Sequence, residues 1–158
     1  MSSKSNHNIL TVRMTHQVRD TCLCLCVQRA ARALARHFDE AFRALGLTNG
    51  QFSLLMSLNR AHPPVMGEVA ALLAMDRTTL TAALKSLQRR GLVAITADEK
   101  DKRGRRLILT PAGRSLLARA YPLWKAAHAE IKQKLVPSDP GRLRTDLTLI
   151  VQHLNNHE

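Results

Sequence analysis

Residues 76–93 carry the sequence DRTTLTAALKSLQRRGLV, and this stretch decides the fold. Its leucines at positions 80, 84 and 87 recur at helical spacing and therefore share one stripe of a helix, while the opposite face is small, polar and basic. Asp76 can accept hydrogen bonds from the first backbone amides, and Gly91 can end the helix in the left-handed conformation. The pattern predicts an amphipathic helix over about residues 76–90.

The segments on either side of this helix extend the pattern into a larger motif. A short helical stretch over about residues 67–74 precedes it after a tight break, which is typical of helix-turn-helix. Residues 92–96 and 106–109 have the β-branched, alternating character of strands, and they flank a charged turn over residues 98–105. Helix, turn, helix and then a hairpin with a basic tip predict a winged helix-turn-helix.

Helical periodicity also covers both ends of the chain. It predicts a helix over about residues 20–45, a helix from 49 to 59 capped by Thr48, a helix from 111 to about 136, and a last helix after Ser138. The fold class is therefore mainly α with a small β-hairpin wing. The terminal helices carry more apolar surface than a small winged-helix domain can cover, so we expect a homodimer.

These elements predict three parts of the chain. Residues 1–19 are expected to form a flexible N-terminal arm and lead-in. Residues 20–47 and 111–158 are expected to form a dimerisation domain, and residues 48–110 a winged helix-turn-helix DNA-binding domain.

The charge indicates the class of partner. The chain has 158 residues and a formal net charge of +12, and residues 77–106 hold nine basic against three acidic side chains. Such a surface favours a polyanion. Aromatic residues make up only 3% of the chain, which argues against proteins that stack single-stranded bases. Double-stranded DNA is the predicted partner. Low-specificity coating of DNA and peripheral binding to an anionic membrane stay open as alternatives.

Four stretches, in this order, resemble the MarR family of winged helix-turn-helix transcription regulators. They are residues 45–52 (LGLTNGQF), residues 76–93, the wing sequence DKR at 101–103, and LILTPAG at 107–113. The resemblance implies a homodimer on a pseudo-palindromic operator, acting as a repressor. It also implies release by a small-molecule effector held between the dimerisation and DNA-binding parts, or by oxidation.

The candidate DNA-binding residues lie on the predicted helix and the wing. They are Arg77, Thr78, Thr79, Thr81, Lys85, Arg89, Arg103 and Arg105. Threonine and lysine side chains of the helix suit base edges or phosphates, whereas Arg89 and Arg90 suit phosphates. By resemblance, Arg103 enters the minor groove and Asp101 orients it.

The cysteines at positions 22, 24 and 26 admit two interpretations. They suit small packing residues, whereas resemblance to the peroxide-sensing branch of the family makes Cys24 a candidate redox residue. No second ligand pair supports a metal site, and no phosphate loop, nucleophile elbow or paired carboxylates support an enzyme. We therefore expect no cofactor. Without a membrane span or signal peptide in the sequence, a cytoplasmic location is expected.

Overall fold

The computed structural model describes residues 10–98 and 104–155. Their elements are α1 (Val12–Thr21), α2 (Leu23–Phe42), a 3₁₀ turn (Arg43–Leu45), α3 (Asn49–Leu58), α4 (Met66–Leu73), α5 (Arg77–Arg89), β1 (Val93–Ala97), β2 (Arg105–Leu109), α6 (Pro111–Lys134) and α7 (Pro140–Asn155). Helices dominate, and the two strands form one antiparallel hairpin. The predicted fold class, mainly α with a β-hairpin wing, is confirmed.

The chain divides into two units, residues 1–36 and 37–158, with the boundary inside α2. In the first unit, residues 12–19 of the predicted arm and lead-in belong to α1. Thr11 begins this helix: its Oγ1 accepts a hydrogen bond from the Met14 amide at 3.3 Å. Cys22 then separates α1 from α2, so the predicted continuous helix from residue 20 starts at Leu23. Residues 1–9 of the expected arm lie outside the described residues.

The core lies in the second unit, where the end of α2 meets α3 to α6 and the hairpin. Phe42 packs between two other aromatic rings, with centroid distances of 6.2 Å to Phe38 and 4.7 Å to Phe52. The leucines of α5 at positions 80, 84 and 87 are buried against this cluster, as their spacing predicts. Burial of each such leucine contributes about 1.5–3 kcal/mol. The core therefore fixes which face of α5 remains outside.

The hairpin is larger than its two strands. Its register runs from Val93 opposite Leu109 to Ala97 opposite Arg105. Residues 63–65 lie along the other side of β2, where the Leu107 amide donates to the Pro64 carbonyl at 2.9 Å. The sequence suggested only a helix end at these residues, because proline cannot donate a backbone hydrogen bond and is therefore uncommon within strands.

The start of α6 lies close against the hairpin. The Thr110 hydroxyl accepts from the Gly113 amide at 3.0 Å and donates to the Gly91 carbonyl at 2.7 Å. A Cβ atom at Gly113 would lie 2.3 Å from the Leu92 carbonyl oxygen, so only glycine allows this approach. The Thr-Pro-Ala-Gly sequence therefore joins α6 to the wing.

Two helices near the ends of the chain, α1 and α7, have apolar side chains that the fold leaves exposed. Neither α1 nor residues 140–154 of α7 include a buried side chain, although both helices are amphipathic. Within residues 10–98 and 104–155, no helix has the length and hydropathy needed to cross a bilayer.

Candidate nucleic-acid interface

Helix α5 is held at both ends by the residues that the sequence indicates. Asp76 Oδ1 accepts from the Thr79 amide at 2.8 Å, and the Thr79 hydroxyl donates to Asp76 Oδ2 at 2.6 Å. The hydrogen bond from the Thr79 hydroxyl, followed by that from its amide, lowers the pKa of the Asp76 carboxyl. At the other end, Gly91 has φ +68°, in the left-handed region. The predicted capping of α5 is confirmed.

The outer face of α5 is exposed and positively charged. Arg77, Lys85 and Arg89 lie on it, and none of them makes an ion pair or hydrogen bond through its side chain in the described part of the chain. No carboxylate of the described residues pairs with these three cations. A helix with buried leucines behind and uncompensated cations in front has the form of a groove-reading helix.

The threonines of α5 differ in what their hydroxyls can do. The Thr79 hydroxyl proton is used in the bond to Asp76, and the Thr81 hydroxyl donates to the Arg77 carbonyl at 2.7 Å. Both oxygens can still accept a hydrogen bond. Thr78, also exposed, has a hydroxyl without a hydrogen bond among residues 10–98 and 104–155. Their contacts with DNA stay predictions, and Thr78 is the best donor of the three.

Two other arginines, Arg90 and Arg114, form hydrogen bonds within the fold. Arg90 Nη1 donates to the Gly46 carbonyl at 2.9 Å and to Gln51 Oε1 at 3.3 Å. Arg114 Nη1 donates to Asn59 Oδ1 at 2.7 Å. The sequence interpretation missed these roles, since the partners are 44 and 55 residues away and no local pattern indicates them.

The loop end of the hairpin also contains an ion pair that is part of the fold. Asp98 is buried, and its Oδ2 lies 2.9 Å from Nη2 of Arg106. Arg105, the next residue in β2, is exposed and donates through Nη1 to the Gly104 carbonyl at 3.4 Å. The predicted minor-groove residue Arg103 and its orienting residue Asp101 lie outside the described residues.

The cysteines are free thiols with unequal surroundings. Cys24 and Cys26 are exposed, so neither packs in the interior of this chain. The Cys24 Sγ accepts from Gln28 Nε2 at 3.3 Å, and the half-buried Cys22 Sγ accepts from the Leu25 amide at 3.4 Å. A redox role for Cys24 stays a prediction. Among the described residues, no group of three or more metal-ligating side chains converges.

Comparison with known proteins defines the class to which this geometry belongs. The chain is similar to the Mycobacterium tuberculosis transcriptional regulator MosR in complex with DNA, at 38% identity and a TM-score of 0.77, covering 85% of this chain and 97% of that one. It is also similar to the repressor CouR of Rhodococcus jostii RHA1 bound to a 23-mer DNA duplex, at 28% identity and a TM-score of 0.69, covering 87% and 95%. The architecture is that of a winged-helix transcription regulator.

The family follows from the sequence matches. The MarR family model matches residues 45–104, and the transcriptional activatory protein BadR of Rhodopseudomonas palustris is 32% identical over 107 residues. The chain belongs to the MarR family, whose members matched here are transcription regulators and not enzymes. The match to BadR covers 65% of this chain and 61% of BadR, less than two thirds of that relative's length.

Proposed function

We propose that this protein is a sequence-specific, DNA-binding transcription regulator that acts as a homodimer on a pseudo-palindromic operator. The observation that carries the proposal is the outer face of α5, with its three cations that no described side chain neutralises. Similarity to MosR and CouR, both of which have structures with DNA, supports the same activity. The wing, with Arg103 in the minor groove and Asp101 beside it, would supply the second contact.

The exposed apolar residues of the terminal helices support a dimer. On α7 they include Leu143, Leu147 and Ile150, and on the first unit they include Val18 and Leu23. Such stripes are unfavourable in water unless a partner covers them. We propose that residues 20–47 and 111–158 form this dimer interface, with residues 48–110 as the DNA-binding domain. A two-fold dimer places its recognition helices about 34–36 Å apart, one turn of DNA.

Regulation by a signal is the second part of the proposal. A small-molecule effector that favours one spacing of the two recognition helices needs a coupling free energy of only about 1–3 kcal/mol to release DNA. Oxidation of Cys24 is a second route, supported by the exposure of its thiol. We propose repression as the sign of regulation, which is the sign that the name of CouR gives for that relative. The relatives BadR and CouR are named as an activator and a repressor.

Selection of bound sequences from a random duplex pool tests the proposal. A pseudo-palindromic consensus is expected, bound at least about 10³-fold more tightly than random duplex at the same salt concentration. A ratio near one would support the alternative, a structural protein that coats DNA with little preference. Repeating the selection with candidate small molecules, and after peroxide treatment, tests release.

Lys85 provides a sharper test of the role of α5. We expect Lys85→Ala to weaken operator binding by about 1–3 kcal/mol and to relax preference at one position if the ammonium reads a base. The salt slope is the steepness with which log affinity falls as log salt concentration rises. If only this slope decreases, by about one, Lys85 is a phosphate contact. Arg13→Ala, on the exposed surface of α1, removes the same charge outside the proposed DNA-binding domain and dimer interface, and it should change neither quantity. Equal effects of the two variants would contradict a role for α5.

A further inference from the structure

Arg106 is one of the basic residues of the hairpin, but its guanidinium is bonded within the fold. Its Nη1 donates to the Pro63 carbonyl at 2.7 Å, and its Nη2 lies 2.9 Å from Asp98 Oδ2. Because successive residues of a strand point to opposite faces, Arg105 leaves β2 on the other side, where it is exposed. Two adjacent arginines therefore have different environments.

The side chain of Arg106 joins three segments. It starts from β2, reaches Asp98 just after β1, and reaches Pro63 in the segment beside β2. The backbone is paired at the same place, with the Leu107 amide donating to the Pro64 carbonyl at 2.9 Å and the Asp98 amide to the Gly104 carbonyl at 3.1 Å. The guanidinium thus reinforces the junction between the hairpin and residues 63–65.

The burial of Asp98 makes this junction specific. Its side chain is only 8% exposed, whereas that of Arg106 is 33% exposed. A buried carboxylate is unfavourable without charged, hydrogen-bonded partners, and the Arg106 guanidinium is such a partner for Asp98. The pair therefore favours one arrangement of the loop end of the hairpin over others.

We propose that Asp98 and Arg106 are a positioning pair, which fastens the loop end of the hairpin to residues 63–65 and so fixes where residues 98 and 104 are held relative to α5. Arg106 then serves DNA binding without touching DNA. This inference rests on the proposed function in one respect, that the positioned hairpin binds DNA. DNA contacts made from the hairpin weaken strongly when the residues that support the hairpin shift by even about 1 Å.

The test compares Asp98→Asn, Arg106→Gln and the double variant on a duplex enriched from a random pool, titrated at several salt concentrations. Each single variant should bind about tenfold more weakly, the loss typical of one specific contact. The double variant should be no worse than the singles, because both remove the same pair. The salt slope should stay that of the wild type. Asp98→Asn removes a negative charge, so electrostatics alone would strengthen its binding to DNA.

Two further variants make the test specific. Arg105→Gln removes the same charge one residue away, and as a predicted DNA contact it should lower the salt slope. Arg106→Lys retains the charge without the two-pronged geometry, and it should recover only part of the affinity. Thermal unfolding of each variant shows whether the measurements are made on folded protein.

Amide hydrogen exchange tests the fastening without DNA. In both single variants the Leu107 amide, which bonds to Pro64, should exchange faster, while the Leu84 amide in the core of α5 should not. Unchanged exchange at Leu107 would overturn the inference. A reduced salt slope for Arg106→Gln together with tighter binding by Asp98→Asn would also overturn it, because Arg106 would then be a phosphate contact. Failure of the wild type to bind any duplex would defeat the proposed function alone, since the exchange comparison still tests the fastening.

Discussion

The interior of the second unit and the helices at the chain ends use the same kind of apolar stripe with opposite results. In α5 the stripe at positions 80, 84 and 87 is fully buried within the chain. In α7 the stripe at 143, 147, 150 and 154 stays between 38% and 70% exposed. Apolar residues of α1, such as Val18, are likewise exposed. Helical periodicity therefore shows that a face needs to be covered, but it does not show which molecule covers it.

The difference also separates two sources of stability. A core that closes within one chain contributes at any protein concentration, whereas surfaces covered by a second copy contribute only when that copy is bound. Substitutions in the two regions should therefore respond differently to protein concentration.

The largest effect is expected in the core. Leu84 is 1% exposed, so Leu84→Ala should lower the free energy of unfolding by about 2–5 kcal/mol through lost burial and a cavity. Denaturant titration at two protein concentrations measures this loss, which should be the same at both. A loss well below 1 kcal/mol would contradict the close packing of Leu84 in the core.

A smaller and concentration-dependent effect is expected in α7. Leu147 is 38% exposed in the single chain, so Leu147→Asp should leave its folding largely intact while placing a charge in the proposed dimer interface. Sedimentation should show dissociation to monomers, and operator affinity should fall because two linked half-sites become independent. Gln152→Asp, at another exposed position of α7, should stay dimeric. If Leu147→Asp remains a dimer, α7 is not part of the interface.

The smallest effect concerns the cap of α5. The folded state lowers the pKa of Asp76, so its carboxylate adds stability above the ordinary pKa of about 3.9, and this is lost as the pH falls through the lower folded value. Asp76→Asn keeps a good capping residue but removes the titration. Thermal unfolding across this acid range should show a weaker pH dependence for the variant. Asp146→Asn on α7, with the same charge change, should retain the wild-type profile.

Much of the fold was predictable because its signals are local. The caps at Thr48, Asp76 and Thr110 are confirmed, and each involves an amide only three residues away. The two strands begin and end within about one residue of their predicted limits. The helix over Val12–Thr21 was missed, since only three of its ten residues are apolar and its periodicity is therefore weak.

The candidate site was predictable only in part. The exposed face of α5 follows directly from the leucine spacing behind it. By contrast, Arg90 and Arg106 count as available cations in the sequence, but the fold uses them to bond Gly46 and Asp98. Counting charge therefore overestimates the number of residues that can meet DNA.

The sequence by itself determined the winged helix-turn-helix, its capped α5 and the basic character of this region, because these depend on interactions between near neighbours. Only the tertiary structure decided which arginines remain outside and that residues 63–65 extend the hairpin. It also decided that α7 is left without cover in the single chain. Those outcomes depend on which distant segments meet, and the free energy of such contacts is not encoded in any local spacing.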